Sequence, residues 1–490
     1  MSVVVLLLIL IVLLFCFQSR NYFRRMWDRF NGTVPPGPPA FPILGTIAID
    51  PKRPDKTFRK WAKQYGSMVT FFLGDRFCLA VNDMELIRKL LKDDRLSGRS
   101  QKGLLPLLDI DIVHGIVLSD GELWKEQRRF SLTALRDFGF GKQAGEDCIQ
   151  KEAAALLQTF KDQSGQPFNP RFPLANAVSN VIAFMLFGDT FEENDNRFKM
   201  FVEHINKNLA EVFGVAAIEV YPWLRHIPPF TKRFQGVNDR VKEALGVLKD
   251  LALDHKKSFD NNHIRDYIDA FYSKQASGSA SFTDEQLVRN LGDLYIAGFE
   301  TTTTFLKWSI ICMIKFPHVQ RKVQAEIDKT IGQRFPNYTD KPKCPYTDAV
   351  ITEIFRFTSF IPFGVPHRAL EDVQVDGYCI PKDTEVWPIL THCFSNPQKW
   401  KQPEEFMPER FLDNDERIIQ SLVDEVQPFS VGKRACLGEP LARMEVFVFF
   451  AAIVQNFTLL PDPENPPSME PVIASILGPQ NFEMIARPRA

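Results

Sequence analysis

The chain has 490 residues and a formal net charge of −1, so its overall charge gives no reason to expect a nucleic-acid partner. Its eight cysteines are scattered without paired spacing, which argues against a disulfide framework and fits a reducing compartment. Its 43 phenylalanines indicate an apolar interior with room for apolar ligands. Nothing after about residue 45 resembles a linker or a repeat, so we predict one large domain, residues 45–490, behind an N-terminal anchor.

The first twenty residues have the composition of a membrane anchor. Val3 to Phe17 is an unbroken apolar run, and as a helix it would be about 22 Å long, short of the roughly 30 Å hydrocarbon core. Arginines follow the run rather than precede it, beginning with Arg20. A cleaved signal peptide, the alternative, has the opposite charge order. We therefore predict a retained anchor over residues 1–20, with the remaining chain on the cytoplasmic side.

A basic and proline-rich hinge is predicted over residues 21–44. Its second half contains the sequence VPPGPPAFP, which starts at Val34. Proline-rich sequence favours a stiff, extended spacer, although an ordinary loop is the alternative. The hinge would hold the domain at a fixed attitude to the bilayer.

Most of the domain has the apolar period of helices, with few strands. Strands are predicted at 68–73 and 77–81, paired around Gly74 and Asp75, and at 373–380 and 384–388. Helices are predicted at 56–66, 83–92, 121–135, 143–160, 174–187, 197–214, 236–259, 284–315 and 318–330. The predicted fold class is mainly α with small β-sheets.

Two groups of polar residues stand out on these helices. Trp124 and Arg128 lie four residues apart on one helical face, a common spacing. In the long apolar helix, Glu300 precedes a run of four threonines that begins at Thr301. Threonines are weak helix formers and a hydroxyl can bond its own i−4 carbonyl, so we expect a distortion there. The alternative is a polar patch at a buried helix crossing.

Residues 428–445, PFSVGKRACLGEPLARME, contain the most informative cysteine, Cys436. Gly432 and Gly438 flank the sulfur, and we expect them to let the backbone approach a flat cofactor. A helix is predicted to begin just after Gly438. Its N-terminus and Arg434 would both lower the pKa of the thiol and favour a thiolate that binds metal. An inert buried cysteine in a glycine-rich turn is the alternative.

This loop resembles the haem-binding loop of the cytochromes P-450, with wording closest to family 2. The resemblance extends over almost the whole chain after the first thirty residues, with the other motifs in the same order. It implies the cytochrome P-450 fold and haem b (iron protoporphyrin IX) as cofactor, with Cys436 as axial ligand. A thiolate under haem iron favours O–O cleavage.

The resemblance also implies roles for the other polar residues. Buried haem propionates need cationic or N–H partners. Four residues would supply them: Arg99, Trp124, Arg128 and His367. For His367, a purely structural role is an equal alternative. Arg434 would add positive charge beside the cofactor. Thr301 would hydrogen-bond the oxygen molecule and Glu300 would relay protons through water. A buried ionic network of Glu353, Arg356 and Arg410 would be structural.

The function implied is insertion of one oxygen atom into an apolar molecule such as a steroid, fatty acid or foreign compound. No dinucleotide fingerprint occurs in the chain, so the electrons would come from NADPH through a separate flavoprotein reductase, with cytochrome b5 as a further partner. Substrate walls are expected at 100–118, 201–224, 361–366 and near Leu477. The basic docking candidates are Lys125, Arg129, Lys142, Lys433 and Arg443.

The location implied is the endoplasmic reticulum membrane, with the catalytic domain facing the cytoplasm. Tyr221 to Leu224, an aromatic cluster, is expected to touch the same membrane. Two other functions stay open. One is a haem-thiolate isomerase or synthase that rearranges oxygenated lipids, and the other is a haem sensor or lipid carrier without turnover.

Overall fold

A computed structural model describes residues 5, 19–100, 102, 114–139, 143–188, 200–201, 203–205, 207, 215, 217–473 and 476–489. Helices dominate this part of the chain, and the strands form small sheets, which confirms the predicted fold class. The helices of six or more residues are Pro54–Tyr65, Met84–Leu91, Gly121–Phe138, Gln143–Asp162, Arg171–Phe187, Phe230–Lys257, Tyr267–Ala276, Asp284–Lys315, Pro317–Thr330, Pro345–Thr358, Leu390–Ser395 and Glu439–Asn456.

Helix Asp284–Lys315, called here the central helix, begins where the side chain of Thr283 accepts a hydrogen bond from the Gln286 N–H. The helix continues without interruption through the threonines. The Thr301 hydroxyl does donate to the Ala297 carbonyl, at 2.7 Å. Packing against helices Arg171–Phe187 and Glu439–Asn456 outweighs the weak helix propensity of the threonines.

The predicted strand pair is confirmed as β1 (Met68–Leu73) and β2 (Arg76–Val81), antiparallel with Met68 opposite Val81. These two strands belong to a four-stranded sheet in the order β1-β2-β6-β3. The other members are β3 (His367–Arg368) and β6 (Glu385–Pro388), and β6 runs parallel to β2.

The single strand predicted at 373–380 is wrong. Two short strands, β4 (Val373–Val375) and β5 (Tyr378–Ile380), pair across a tight turn. Asp376 and Gly377 both have positive φ, 48° and 84°, which is the backbone of a two-residue hairpin turn. The remaining strands are β7 (Phe457–Pro461), β8 (Pro471–Ile473), β9 (Leu477–Pro479) and β10 (Met484–Pro488).

The proline-rich hinge is docked on this sheet. The Thr70 N–H and hydroxyl of β1 donate to the Pro36 and Pro35 carbonyls, at 2.9 and 2.7 Å. Gly37 permits this approach, because a Cβ there would lie 1.8 Å from the Thr70 carbonyl oxygen. The hinge is therefore held along the edge of β1 by one backbone hydrogen bond and one side-chain hydrogen bond, both from Thr70.

The predicted anchor lies almost wholly outside the described residues. Within the described ranges, no helix combines the length and the apolar composition needed to cross a bilayer. Most of the predicted helix 197–214 also lies outside them, although its described members, which include Met200 and Phe201, are helical.

The predicted ionic network is confirmed. Arg356 donates twice to the carboxylate of Glu353, at 2.7 and 2.8 Å, and Arg410 donates to the same carboxylate at 3.2 Å. Both members of the first pair are at most 1 % exposed. Remaining Arg356 donors meet backbone carbonyls, including those of Phe394 and Pro403. A buried ion pair is tolerated only with such complete hydrogen bonding.

Candidate active site

A cavity of about 330 Å³ lies between the central helix and the loop that carries Cys436. Thr301 and Cys436 both line it. Most of the remaining walls are apolar and come from distant parts of the chain, including Ile116, Leu294, Ala297, Ile361 and Val365. The fold thus brings the predicted ligand and the predicted alcohol to one enclosed space.

The loop before Cys436 is fixed by backbone contacts. The Cys436 N–H donates to the Phe429 carbonyl at 2.8 Å, and Gly432–Arg434 forms one turn of 3-10 helix. Gly432 has φ +78°, and a Cβ there would lie 2.0 Å from the Leu91 carbonyl oxygen. Its expected role was wrong, since this glycine allows contact with protein backbone and not with a cofactor.

Cys436 lies three residues before helix Glu439–Asn456, called here the cysteine helix, as predicted. Its side chain is exposed, and it lines the cavity. The helix N-terminus lowers the thiol pKa as predicted, but the net direction is the opposite of the one expected, because burial among protein atoms raises the pKa of Cys436 more than its neighbours lower it. The N–H groups of Gly438 and Glu439 and the guanidinium of Arg128 act in the lowering direction. A bound metal ion would itself deprotonate a coordinating thiol.

Arg434 does not act on the thiol as predicted. Its guanidinium lies 3.6 Å from the centre of the Trp124 ring and donates to the carboxylate of Asp120 at 3.0 Å. Two further donors meet the carbonyls of Ser97 and Ser119, at 2.9 and 2.7 Å. Burial lowers the pKa of Arg434 to about 8, and neighbouring Arg99 contributes to the same lowering. Arg434 is thus a buried cation held over an aromatic ring.

The other predicted propionate partners gather around Arg434. Arg99 donates to the Val365 and Pro366 carbonyls, and burial lowers its pKa to about 10. His367 donates from Nδ1 to the Leu96 carbonyl at 2.7 Å. Burial, and to a smaller extent the charge of Arg99, lowers the pKa of His367 to about 3. The ring is therefore neutral at pH 7. The same wall of the cavity is formed by Arg99, Trp124, Arg128, His367 and Arg434.

This wall fits a group that carries carboxylates. The Nε1–H of Trp124 is buried and has no hydrogen-bond partner among the described residues. Burial lowers the pKa of all three arginines, and repulsion between them adds to this at Arg99 and Arg434. A buried orphan donor and buried cations are costly unless anionic oxygens meet them. Haem propionates supply such oxygens, and Cys436 supplies a thiol in the same cavity.

Asp120 is a part of the site that sequence reasoning missed. Its carboxylate accepts from the Arg99 N–H at 2.7 Å, from Arg368 at 2.7 Å and from Arg434 at 3.0 Å. It occupies the N-cap position of helix Gly121–Phe138 but makes no side-chain cap bond. The sequence signal, an aspartate just before a helix, predicts a cap rather than an arginine clamp.

Glu300 does not face the described part of the cavity together with its predicted partner, Thr301, which lines it. Its nearest hydrogen bond is a long one from the Thr304 hydroxyl, at 3.4 Å. Burial raises the pKa of Glu300, and the charges of Lys307 and Arg171 oppose the rise.

The expected substrate walls are met in part. Within 361–366, Ile361, Gly364 and Val365 line the cavity. All of 103–113 and much of 201–216 lie outside the described residues. Leu477 does not line the described cavity; its N–H donates to the Phe360 carbonyl at 2.7 Å, and Phe360 lines the wall instead.

Comparison with known proteins agrees with this geometry. The family model Cytochrome P450 matches residues 35–486. The chain is 36% identical over 475 residues to Cytochrome P450 2H1 of Gallus gallus, covering 94% of each protein. It is 35% identical over 463 residues to Cytochrome P450 2J3 of Rattus norvegicus, covering 93% of this chain and 91% of the relative.

The chain belongs to the cytochrome P-450 family. The relatives compared carry family 2 names, which confirms the resemblance inferred from the motifs. Membership identifies the protein as a haem-thiolate monooxygenase that acts on small molecules and takes electrons from a reductase.

Proposed function

We propose that this P-450 inserts oxygen into apolar small molecules, using electrons that originate in NADPH. The observation that carries the proposal is the cavity itself. Its walls are mainly apolar side chains, and they place an accessible Cys436 thiol and the Thr301 hydroxyl in the same space. Mainly apolar walls with a few polar groups are typical of small-molecule sites.

The cofactor contacts follow from the donor set. We assign Cys436 as the iron ligand and assign the carboxylates of the haem to five side chains: Arg99, Trp124, Arg128, His367 and Arg434. The haem, when bound, supplies the activation of dioxygen and the transfer of one oxygen atom to the substrate. Arg99, Trp124, Arg128, His367 and Arg434, called here the arginine wall, would orient the haem by holding its carboxylate edge. The apolar walls would exclude water from the substrate.

Thr301 is assigned to proton handling at the site. Its hydroxyl donates to Ala297 in this structure, and a rotation about χ1 would turn it toward the cavity. Glu300 lies outside the described cavity wall. Glu300 would therefore reach Thr301 only through water. Burial raises the pKa of its carboxyl group above the usual value, which is the direction that a proton relay requires.

The reductase would dock on the face that carries the exposed basic residues near Cys436. Lys125 and Arg129 are exposed on helix Gly121–Phe138, and Lys433 is exposed on the cysteine loop. Lys125 already pairs with Glu122, and Lys433 with Asp94. Lys142 lies outside the described residues. Docking of the reductase, or of cytochrome b5, would exchange these local pairs for pairs with an acidic partner.

The membrane is proposed to contact a second surface besides the predicted anchor. The Tyr221 hydroxyl donates to the Leu44 carbonyl at 2.6 Å, which joins two stretches that carry exposed apolar side chains. These side chains are Phe41, Leu44 and Ile47 in one stretch and Trp223 and Ile227 in the other. Deleting residues 1–20 should therefore release the protein only partly from the membranes of expressing cells. Complete release at low salt would remove this surface from the proposal.

The test is reconstitution with haem, a flavoprotein reductase, NADPH and a panel of apolar compounds. Compounds that perturb the haem spectrum should be oxidised with consumption of NADPH. Cys436→Ala should abolish the thiolate-type absorption of the reduced carbon monoxide complex. Thr301→Ala should keep that absorption but lower the ratio of product to NADPH consumed, since proton delivery typically contributes about 10²–10⁴-fold.

Other outcomes would favour the alternatives. Conversion of an oxygenated lipid without NADPH would indicate an isomerase or synthase. Ligand-induced spectral changes without NADPH consumption, for every compound tried, would indicate a sensor or carrier. An unchanged ratio for Thr301→Ala would mean that protons reach the site by another route.

A further inference from the structure

Glu445 is a buried acid that the proposed chemistry does not use. It lies in the cysteine helix and lines the cavity, and only 1 % of its surface is exposed. One carboxyl oxygen, Oε2, accepts a hydrogen bond from the Thr302 hydroxyl at 3.2 Å. The other, Oε1, is shielded from solvent and has no partner among the described residues. Thr302 is the residue after Thr301 on the central helix.

No cation balances Glu445 in the described part of the chain. The central helix presents an uncharged hydroxyl, and the titratable group that reaches Glu445 from helix Gln143–Asp162 is the thiol of Cys148. Glu353, also fully buried, accepts from two arginines instead. An ionised carboxylate with one hydrogen bond and no counter-ion is costly in a protein interior. Burial accordingly raises the pKa of Glu445 to about 8.

We propose that Glu445 is a positioning residue held as an uncharged carboxylic acid. Its bond to Thr302 ties the cysteine helix to the central helix beside Thr301, so that the helix that follows the iron ligand and the helix that bears the predicted alcohol stay in register. The neutral form allows this bond deep in the core without a counter-ion. The functional part of this inference rests on the proposed monooxygenase activity, but the uncharged state does not.

The uncharged state has a signature in the pH dependence of stability. Folding raises the pKa of Glu445 from 4.5 to about 8. Below pH 4.5 the acid is protonated in both the folded and the unfolded protein, so its titration does not reduce the free energy of unfolding there. Stability is lost as pH rises from there toward 8. Between pH 5 and 7.5 the midpoint of thermal unfolding should fall by about 2–3 °C relative to Glu445→Gln. Glu152→Gln is a matched control, because Glu152 is also buried but accepts its hydrogen bond from Asn180 and does not line the described cavity.

A second variant tests the bond itself. Thr302→Val removes the hydrogen-bond donor that favours the ionised form of Glu445. The pH range over which stability falls should therefore extend to higher pH than in the wild type. The infrared carbonyl band of a buried protonated acid should persist in Thr302→Val and vanish in Glu445→Gln. In the reconstituted system, Thr302→Val should lower the ratio of product to NADPH severalfold while the thiolate-type absorption is kept.

Each result decides one part. Parallel pH profiles for wild type and Glu445→Gln, with no carbonyl band, would overturn the uncharged state. A ratio unchanged by Thr302→Val, in protein whose wild type turns over, would overturn the positioning role. A wild type without turnover would contradict the proposed function instead, and the stability and infrared results would still decide the charge of Glu445.

Discussion

Two buried groups of arginines differ in how their charge is balanced. In the first, Arg356 and Arg410 share the carboxylate of Glu353, and backbone carbonyls take their other donors. The second group is Arg99, Arg128 and Arg434. Arg434 donates to the carboxylate of Asp120, which also pairs with Arg368. The side chains of Arg99 and Arg128 donate to backbone carbonyls instead. Each group contains at least one buried arginine and one arginine that is partly exposed, Arg410 in the first and Arg128 in the second.

The difference shows which group is structural and which awaits a ligand. Glu353 accepts from both arginines of the first group. The second group has more cations than anions and adds the orphan N–H of Trp124. Only the second group lines the described cavity. Positive charge in excess of its protein partners thus locates the carboxylate end of the cofactor more specifically than any one motif does.

The largest effect is expected from breaking the balanced group. Arg356→Leu leaves the Glu353 carboxylate buried with fewer donors, which should cost about 3–5 kcal/mol of folding free energy. The variant should be largely unfolded whether or not haem is supplied, as measured by the yield of soluble protein and by denaturant unfolding. The matched control is Arg417→Leu at an exposed pair with Asp415, where the cost should be below about 1 kcal/mol. A variant as stable as the control would mean that the network is not needed for folding.

Local patterns predicted much of this fold. The bounds of the central helix and of β1 agree with those expected from apolar periodicity, since long periodic runs carry a strong signal. The helices Tyr267–Ala276 and Pro345–Thr358 were missed. The first has ten residues and a weak amphipathic pattern. The second has an amphipathic pattern as clear as that of helix Pro317–Thr330, which was predicted, so its sequence carried a usable signal.

The site was predicted less completely, for a different reason. Cys436, Trp124 and Arg434 were found from motifs, but Asp120 and Glu445 were not, because neither belongs to a local pattern that predicts ligand binding. Their roles depend on which buried groups face them, and that is decided by tertiary packing. The role of Arg434 was misassigned for the same reason: it is two residues from Cys436 in sequence, yet its donors face Asp120 and Ser119.

The unbalanced group can be probed by removing one cation. Arg434→Leu should weaken haem binding about 10–100-fold, because a hydrogen bond to a charged partner is worth about 1.5–3 kcal/mol. Arg368→Leu is the matched control, since Arg368 also pairs with Asp120 but does not line the cavity. Both variants should lose some stability, and only Arg434→Leu should lose haem affinity in transfer to a haem-binding acceptor protein. Equal losses of affinity would show that Arg434 acts only by holding Asp120.

The smallest effect concerns His367 and follows from the same excess of positive charge. Its pKa, lowered from 6.5 to about 3 by burial and by Arg99, means that the folded protein resists protonation. Stability should be full above pH 6.5 and be lost as pH falls from there toward 3, by about 2 kcal/mol at pH 5. His367→Gln removes this dependence. In denaturant unfolding without haem, the free energy of unfolding of the variant should therefore rise relative to that of the wild type as pH falls.

Haem sharpens the test of His367, because its carboxylates would neutralise the arginines that help to lower the pKa of the ring. The difference between His367→Gln and wild type at pH 5 should therefore be smaller in haem-loaded protein than in haem-free protein. His226, exposed and distant in sequence from the arginine wall, provides the control substitution, which should show no such dependence on haem. An equal difference with and without haem would mean that burial alone sets the pKa of His367. The carboxylates would then lie elsewhere, and the arginine wall would not be where the cofactor's charge is balanced.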